Sequence, residues 1–170
     1  FFGTKAAEAY VQRHEGGVVW HTQGSGKSLT MVWLAKWIRE NIENSRVLIV
    51  TDRTELDEQI HNVFLGVNEN IHRSGSGKKL IEELNKNEKP LMCTLIHKFS
   101  RWVDGTASTD DAKMLEQLKN SLPPDFSVKG DLFIFVDECH RTQAQLLHAN
   151  MMQALPNAAK IGFTGTPILL

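Results

Sequence analysis

The sequence predicts an α/β fold, a three-layer α/β/α sandwich around a mainly parallel sheet. Five short apolar runs are rich in β-branched and aromatic residues and do not alternate with polar residues, which is typical of strands buried on both faces of a parallel sheet. Helical stretches separate these runs, and strands that alternate with helices indicate crossover units. The 170 residues are predicted to form a single domain with a sizeable core.

The predicted elements follow from apolar periodicity and from turn residues. The predicted strands are residues 18–20, 47–50, 91–95, 132–136 and 160–163. The predicted helices are residues 27–42, 54–64, 78–85, 111–119 and 142–154, with Thr54 as the N-cap of the second. Polar and proline-rich residues predict loops at 104–111 and 122–125.

Composition excludes several classes of protein. The formal net charge of −1 is not that of a protein whose whole surface is a basic nucleic-acid platform, although a local track remains compatible with it. No run approaches the roughly 18 apolar residues of a membrane span, and the first residues do not resemble a signal peptide. Two distant cysteines favour a reducing, cytoplasmic setting. Both ends suggest a fragment of a longer chain.

A phosphate-binding loop is predicted where the first strand meets the first helix. Gly24 and Gly26 allow backbone N–H groups to turn toward phosphate oxygens, and the helix that follows presents its N-terminus to the anion. Lys27 is expected to reach the β and γ phosphates, and the Ser28 hydroxyl to hold Mg²⁺. His21 stands where the common pattern has its first glycine. The alternative is a flexible Gly/Ser turn.

A second Gly-Ser-Gly-Lys run, residues 75–78, serves as an internal comparison. It has no hydroxyl residue after Lys78, and no apolar strand precedes it. We therefore predict a solvated turn before a helix at this place and no nucleotide site.

An acidic pair follows the fourth predicted strand. Adjacent carboxylates at the exit of a buried strand are costly without a function, and the carboxyl ends of parallel strands are where nucleotide sites assemble. Asp137 is predicted to hold Mg²⁺ through its water shell, and Glu138 to orient and deprotonate the attacking water. The alternative is an acidic N-cap near Thr142. Cys139 and His140 have no second pair of ligands nearby that would complete a zinc site.

Four segments in order resemble the motor (restriction) subunit of type I restriction–modification enzymes, within the DEAD/DEAH-like helicases of superfamily 2. These are residues 20–31, 50–60, 137–142 and 162–167, which together span nearly the whole chain. The resemblance implies a RecA-like P-loop NTPase lobe that binds ATP and Mg²⁺. It implies that the strand before Thr164 lies between the phosphate-loop strand and the Asp137 strand.

The resemblance also implies residue roles. The nucleotide-contacting residues would be Thr22, Gln23, Gly24, Ser25, Gly26, Lys27, Ser28 and Leu29. Coupling of nucleotide state to the track would involve His140, Thr164, Gly165 and Thr166. Contacts to the DNA backbone would come from Thr51, Arg53, Thr94, His97 and Lys98. For Arg53 the alternative is a salt bridge to Asp57 one helical turn on.

The expected function is that of one ATP-binding lobe which couples ATP hydrolysis to translocation along double-stranded DNA and to restriction. Implied partners are the methylation and specificity subunits of the restriction–modification complex, with no membrane. In such motors further charges come from a second lobe, so this chain alone is expected to be nearly inactive. Two alternatives remain: another superfamily 2 helicase or translocase, and a non-catalytic nucleotide-binding module for assembly.

Overall fold

The computed structural model describes residues 5, 8–9, 11, 16–22, 24–51, 54–96, 122, 126–138 and 155–165, with the backbone alone at 54–57. The strands are β1 (Gly17–Trp20), β2 (Ser45–Thr51), β3 (His72–Arg73), β4 (Leu91–Leu95), β5 (Asp131–Asp137) and β6 (Ala159–Thr164). The helices within these ranges are α1 (Lys27–Asn41), α2 (Thr54–Gly66) and α3 (Gly77–Leu84). None of these helices combines the length and apolarity needed to cross a membrane.

The described strands form one parallel sheet in the order β1-β6-β5-β2-β4-β3. The predicted place of β6, between the phosphate-loop strand β1 and the acidic strand β5, is therefore confirmed. In register, Trp20 lies beside Thr164, and Phe163 lies beside Asp137. Because all strands run the same way, the carboxyl ends of β1, β5 and β6 meet at one edge of the sheet.

Two apolar clusters cover the two faces of the sheet, which confirms the predicted three-layer α/β/α class. On one face, α1 and α2 pack on alternate residues of the central strands, including Val47, Ile49 and Phe135. On the other face, α3 packs on the intervening residues, including Leu48 and Ile134. The central strands β2, β4 and β5 are buried along nearly their whole length, as a doubly covered parallel sheet requires.

Three sequence-based expectations need correction or limits. The first strand is not buried on both faces: Val18 is 67% and Trp20 62% exposed. Among the described strands, β1 lies at the edge of the sheet and pairs with β6 alone. The short strand β3 was not predicted, since two polar residues carry no apolar signal. Thr54 is the first residue of α2 rather than its cap. The predicted helices at 111–119 and 142–154 and the loop at 104–111 lie outside the described residues.

The buried side chain of Arg46 connects backbone segments at the end of the sheet opposite the phosphate loop. Arg46 is 1% exposed. Its guanidinium donates hydrogen bonds to the backbone carbonyls of Glu83, Leu84, Lys89 and Lys129. Two of these carbonyls belong to the last turn of α3, where a cation also complements the helix dipole. The central strand thus anchors three neighbouring segments through one side chain.

Candidate functional site: a phosphate loop facing two carboxylates

The loop between β1 and α1 is closed by its own hydrogen bonds. The Thr22 carbonyl accepts from the Ser25 backbone N–H at 3.1 Å and from the Ser25 hydroxyl at 2.6 Å. Gly24 and Gly26 have φ values of +80° and +87°, in the left-handed region that favours glycine. The Gly26 carbonyl then accepts from the Thr30 N–H at 3.0 Å as α1 begins. The loop therefore has the tight, left-handed path that the sequence predicted at these glycines.

The N-terminus of α1 is suited to an anion. Gly26 precedes the helix without a side-chain cap, and the first turn carries no acidic residue. The first backbone N–H groups of a helix lack intrahelical partners and carry partial positive charge. Phosphate oxygens can satisfy these donors, which is the usual way in which such a loop binds a nucleotide.

His21 has a role in the loop that sequence reasoning treated only as a departure from the common pattern. Its Nδ1 lies 3.2 Å from the Ser25 hydroxyl, across the mouth of the loop. Its backbone N–H donates to the Thr164 carbonyl at 3.0 Å. His21 therefore connects the phosphate loop to the end of β6. The sequence did contain a signal for this role, because His21 carries hydrogen-bonding nitrogens at a position where most such loops have no side chain.

The acidic pair lies where β5 leaves the sheet. Asp137 is 3% exposed and accepts the Glu138 backbone N–H on Oδ1 at 3.0 Å. Glu138 has φ +49°, an uncommon conformation for a residue other than glycine. Such backbone strain costs on the order of 1–3 kcal/mol and clusters at functional sites. The turn directs the Glu138 carboxylate back toward the phosphate loop.

Lys27 joins the loop to both carboxylates. Its Nζ lies 3.0 Å from Asp137 Oδ1 and donates a hydrogen bond to Glu138 Oε1. Burial alone would lower the pKa of Lys27, but the bonds to Glu138 and Asp137 raise it overall, so the ammonium is held charged. Burial raises the pKa of Asp137 despite the nearby ammonium. The predicted catalytic and phosphate-binding groups therefore converge at one place.

The donor set fits a hard divalent cation such as Mg²⁺, which prefers oxygen ligands and retains several waters. Asp137 presents a nearly buried carboxylate at the site, and Ser28, in the first turn of α1, carries a hydroxyl directly after Lys27. Ser28 is half-buried. These residues are the ones that would hold the ion.

The other predicted nucleotide and coupling residues are placed only in part. Thr22 and Leu29 are exposed, and Gln23 lies outside the described residues. Thr164 is 2% exposed at the end of β6, followed by the half-buried Gly165. His140 and Thr166 lie outside the described residues. Thr164 is thus placed next to the loop through His21, whereas the remaining coupling contacts stay predictions.

Two of the five predicted DNA-contacting residues belong to the described part of the chain, and both are buried. Thr51 and Thr94, near the carboxyl ends of β2 and β4, are 0% and 1% exposed. Among the described residues, neither hydroxyl has a hydrogen-bond partner. Because Thr94 is in register with Val50, the two threonines point to opposite faces of the sheet. Their contact with DNA stays a prediction. Arg53, His97 and Lys98 lie outside the described residues.

The second Gly-Ser-Gly-Lys run forms a helix start of another kind. Ser76 is the N-cap of α3, and its hydroxyl accepts the Lys79 N–H at 3.3 Å. The helix predicted at residues 78–85 is confirmed, beginning one residue earlier at Gly77. The strand before it, β3, has only two polar residues. The Ser76 side chain thus caps the N-terminus of α3, whereas the N-terminus of α1 has no side-chain cap and can accept an anion.

Comparison with known proteins finds an ATPase family model and endonuclease subunits of restriction enzymes. A family model described as SWI2/SNF2 ATPase matches residues 1–170. The endonuclease subunit of the type I restriction enzyme HindI, from Haemophilus influenzae, is 34% identical over 170 aligned residues, covering 91% of this chain and 15% of the relative. A corresponding subunit from Staphylococcus aureus strain COL is 31% identical over 167 residues, covering 95% of this chain and 16% of the relative. The chain thus spans about a sixth of these relatives' length.

A solved structure gives the same fold at lower identity. The Sulfolobus solfataricus SWI2/SNF2 ATPase core in complex with double-stranded DNA superposes with a TM-score of 0.63 at 14% identity. The match covers 98% of this chain and 31% of that one. This similarity supports the predicted RecA-like fold.

Proposed function

Because the chain belongs to the SWI2/SNF2 ATPase family, we propose that it binds ATP with Mg²⁺ and supplies half of an ATPase site that drives translocation along double-stranded DNA. We further propose that this motor is part of a type I restriction enzyme, as the names of its relatives suggest. The observation that carries the proposal is the convergence of Lys27, Asp137 and Glu138 beside an uncapped helix N-terminus.

Each of these side chains has a distinct role in phosphoryl transfer. The loop N–H groups and Lys27 bind the phosphates and offset the charge that develops on them. Glu138, directed toward the loop by its left-handed backbone, orients the attacking water and accepts its proton. Mg²⁺, when bound, neutralises phosphate charge, and Asp137 and Ser28 are the residues that would hold it.

The proposed site is half of a complete one. Hydrolysis needs positive charge around the transferred phosphoryl group from several directions. Among the described residues, Lys27 is the cation that contacts the two carboxylates. We therefore expect this chain alone to bind nucleotide weakly and to hydrolyse it very slowly. A turnover by the isolated chain equal to that of a complete subunit would contradict this expectation.

The test of the chemical role is Glu138→Gln in the complete subunit. We expect ATP affinity to persist, since Gln keeps the size and hydrogen-bonding capacity of the side chain. We expect ATP turnover to fall by about 10²- to 10⁴-fold, the usual contribution of a general base. Glu58→Gln, an exposed residue of α2, is the matched control and should leave both quantities unchanged. Normal hydrolysis in Glu138→Gln would remove Glu138 from the role of base.

The DNA part of the proposal has its own test. Duplex DNA should stimulate the ATPase of the complete subunit, and single-stranded nucleic acid should do so less. Nucleotide state would be coupled to the track through Thr164, Gly165, Thr166 and His140. Contacts to the DNA backbone would come from the segments that contain Thr51, Arg53, Thr94, His97 and Lys98. Absence of stimulation by duplex DNA would instead favour a nucleotide-binding assembly module.

A second candidate is a SWI2/SNF2 translocase that acts outside a restriction enzyme. The family match and the fold of the Sulfolobus ATPase core favour it. Co-purification with methylation and specificity subunits from the cytoplasm would support the restriction enzyme. Duplex-stimulated ATPase without such partners would support the second candidate.

A further inference from the structure

The side chains of His21 and Ser25 face each other across the mouth of the phosphate loop. The Nδ1 atom of His21 lies 3.2 Å from the Ser25 hydroxyl oxygen. The same hydroxyl lies 2.6 Å from the Thr22 carbonyl oxygen. A carbonyl oxygen can only accept and a hydroxyl carries a single hydrogen, so Ser25 donates to Thr22. The Ser25 oxygen therefore accepts its second bond from His21, which requires that Nδ1 carries a proton.

His21 is itself attached to the sheet. It directly follows Trp20, the last residue of β1. Its backbone N–H donates to the Thr164 carbonyl at 3.0 Å, which continues the pairing of β1 with β6 by one more bond. The imidazole ring therefore extends from the sheet to the loop, and it connects Ser25 to the strands across four residues of sequence.

A connection of this kind matters because the loop contains residues with much conformational freedom. Gly24 and Gly26, on either side of Ser25, both have positive φ values. Glycine loses more conformational freedom on being ordered than any other residue, and ordering a loop on binding reduces affinity. Both partners of each bond that His21 and Ser25 make are protein groups, so these bonds can order the loop before a phosphate arrives.

We propose that His21 is a positioning residue, which holds the phosphate loop in its nucleotide-binding path through Ser25. The proposal rests on the proposed ATP site and gives a role to the side chain that stands where the common pattern has its first glycine. Bound phosphates order the loop by themselves, so His21 acts on the free protein and raises the fraction of molecules that can bind. Its effect should therefore appear in the association rate of nucleotide and leave the dissociation rate unchanged.

The experiment follows binding and release of a fluorescent ATP analogue with Mg²⁺ by the complete subunit in stopped flow. In His21→Ala the association rate constant should fall roughly 2- to 10-fold, the usual effect of one neutral hydrogen bond, without a change in the dissociation rate constant. His21→Asn should keep the wild-type rate, because its amide nitrogen is as many bonds from the backbone as Nδ1. His21→Gln, whose amide nitrogen corresponds to Nε2 instead, should behave as His21→Ala. His61→Ala, on α2, is the control and should behave as wild type.

A double-mutant cycle tests whether Ser25 is the partner. In a Ser25→Ala background, His21→Ala should cause no further loss, because the bond has already been removed. An equal loss in both backgrounds, a wild-type association rate in His21→Ala, or equal rates in His21→Asn and His21→Gln would refute the positioning role.

The remaining outcomes separate the possible failures. Faster dissociation of the analogue from His21→Ala with unchanged association would also refute the positioning role, and would indicate that His21 contacts the phosphates directly. The comparison of His21→Asn with His21→Gln decides the question even where His21→Ala does not fold. Failure of wild type to bind the analogue at all would overturn the proposed function as well.

Discussion

The left-handed backbone of the phosphate loop gives a quantitative prediction for Gly26→Ala. Gly26 has φ +87° and ψ +28°. Among the described residues, a Cβ placed there would meet Leu29 Cδ1 alone, at 4.0 Å, so the substitution creates no clash with them. Its cost is therefore conformational, and a non-glycine residue in this region pays about 1–2 kcal/mol. At about 1.4 kcal/mol per factor of ten, this corresponds to a roughly 5- to 30-fold loss of nucleotide affinity if the free loop relaxes away from the binding conformation.

Two further glycines make the test specific. Gly24 has φ +80° and also open space around a Cβ, so Gly24→Ala should weaken binding to a similar extent. Gly17, in the exposed strand β1, has open space without a positive φ, so Gly17→Ala should leave affinity unchanged. The assay is a titration of the three variants and wild type with a fluorescent ATP analogue. Wild-type affinity in Gly26→Ala, or an equal loss in Gly17→Ala, would refute a cost that depends on backbone conformation.

Three predictions concern stability, each measured as the free energy of unfolding in urea. In Arg46→Met the free energy of unfolding should fall by about 3–5 kcal/mol, because four backbone carbonyls lose a buried charged donor. A decrease below about 1 kcal/mol would contradict the anchoring role. Burial lowers the pKa of Lys160, so its charged form opposes folding below the folded-state pKa. Lys160→Met should therefore be more stable than wild type at pH 7, with a gain that shrinks as the pH rises from the lowered folded-state pKa to 10.5 and is absent above 10.5. Burial raises the pKa of Asp137, so its ionised form opposes folding once the pH exceeds that pKa. In Asp137→Asn the amide oxygen can still accept the Glu138 N–H, so this variant should be more stable than wild type at pH 7 and equally stable at acid pH. A variant less stable than wild type at pH 7 would contradict an unfavourable burial of the Asp137 charge.

Much of the fold could be predicted because the relevant signals are local. The central strands are continuous apolar runs, and α1 begins where glycines give way to an amphipathic stretch. The class of fold and the strand bounds follow from these patterns. The exposure of Trp20 does not, because whether a strand lies at the edge is a property of the whole sheet. The same apolar residues would be buried at its centre.

The sequence indicated candidate residues for the site but not the contacts between them. Gly26, Lys27 and the acidic pair were recognised because their chemistry and order are informative. That Lys27 contacts both carboxylates depends on strand order, which brings together residues more than a hundred positions apart. The link from His21 to Thr164 likewise arises only because β1 and β6 are neighbours. A buried arginine in a strand such as Arg46 carries no sequence signal that separates it from an exposed one.

Three residues of the proposed site violate local rules. Gly26 leaves a helix without a side-chain cap, Asp137 places a carboxylate where burial disfavours its charge, and Glu138 adopts a left-handed backbone. Violations of this kind are expected where function requires them. Two of the three would be relieved by ligands, since a phosphate group would satisfy the helix N-terminus and a divalent cation would compensate the Asp137 carboxylate. Nucleotide and metal would therefore relieve these two costs of the unliganded site together.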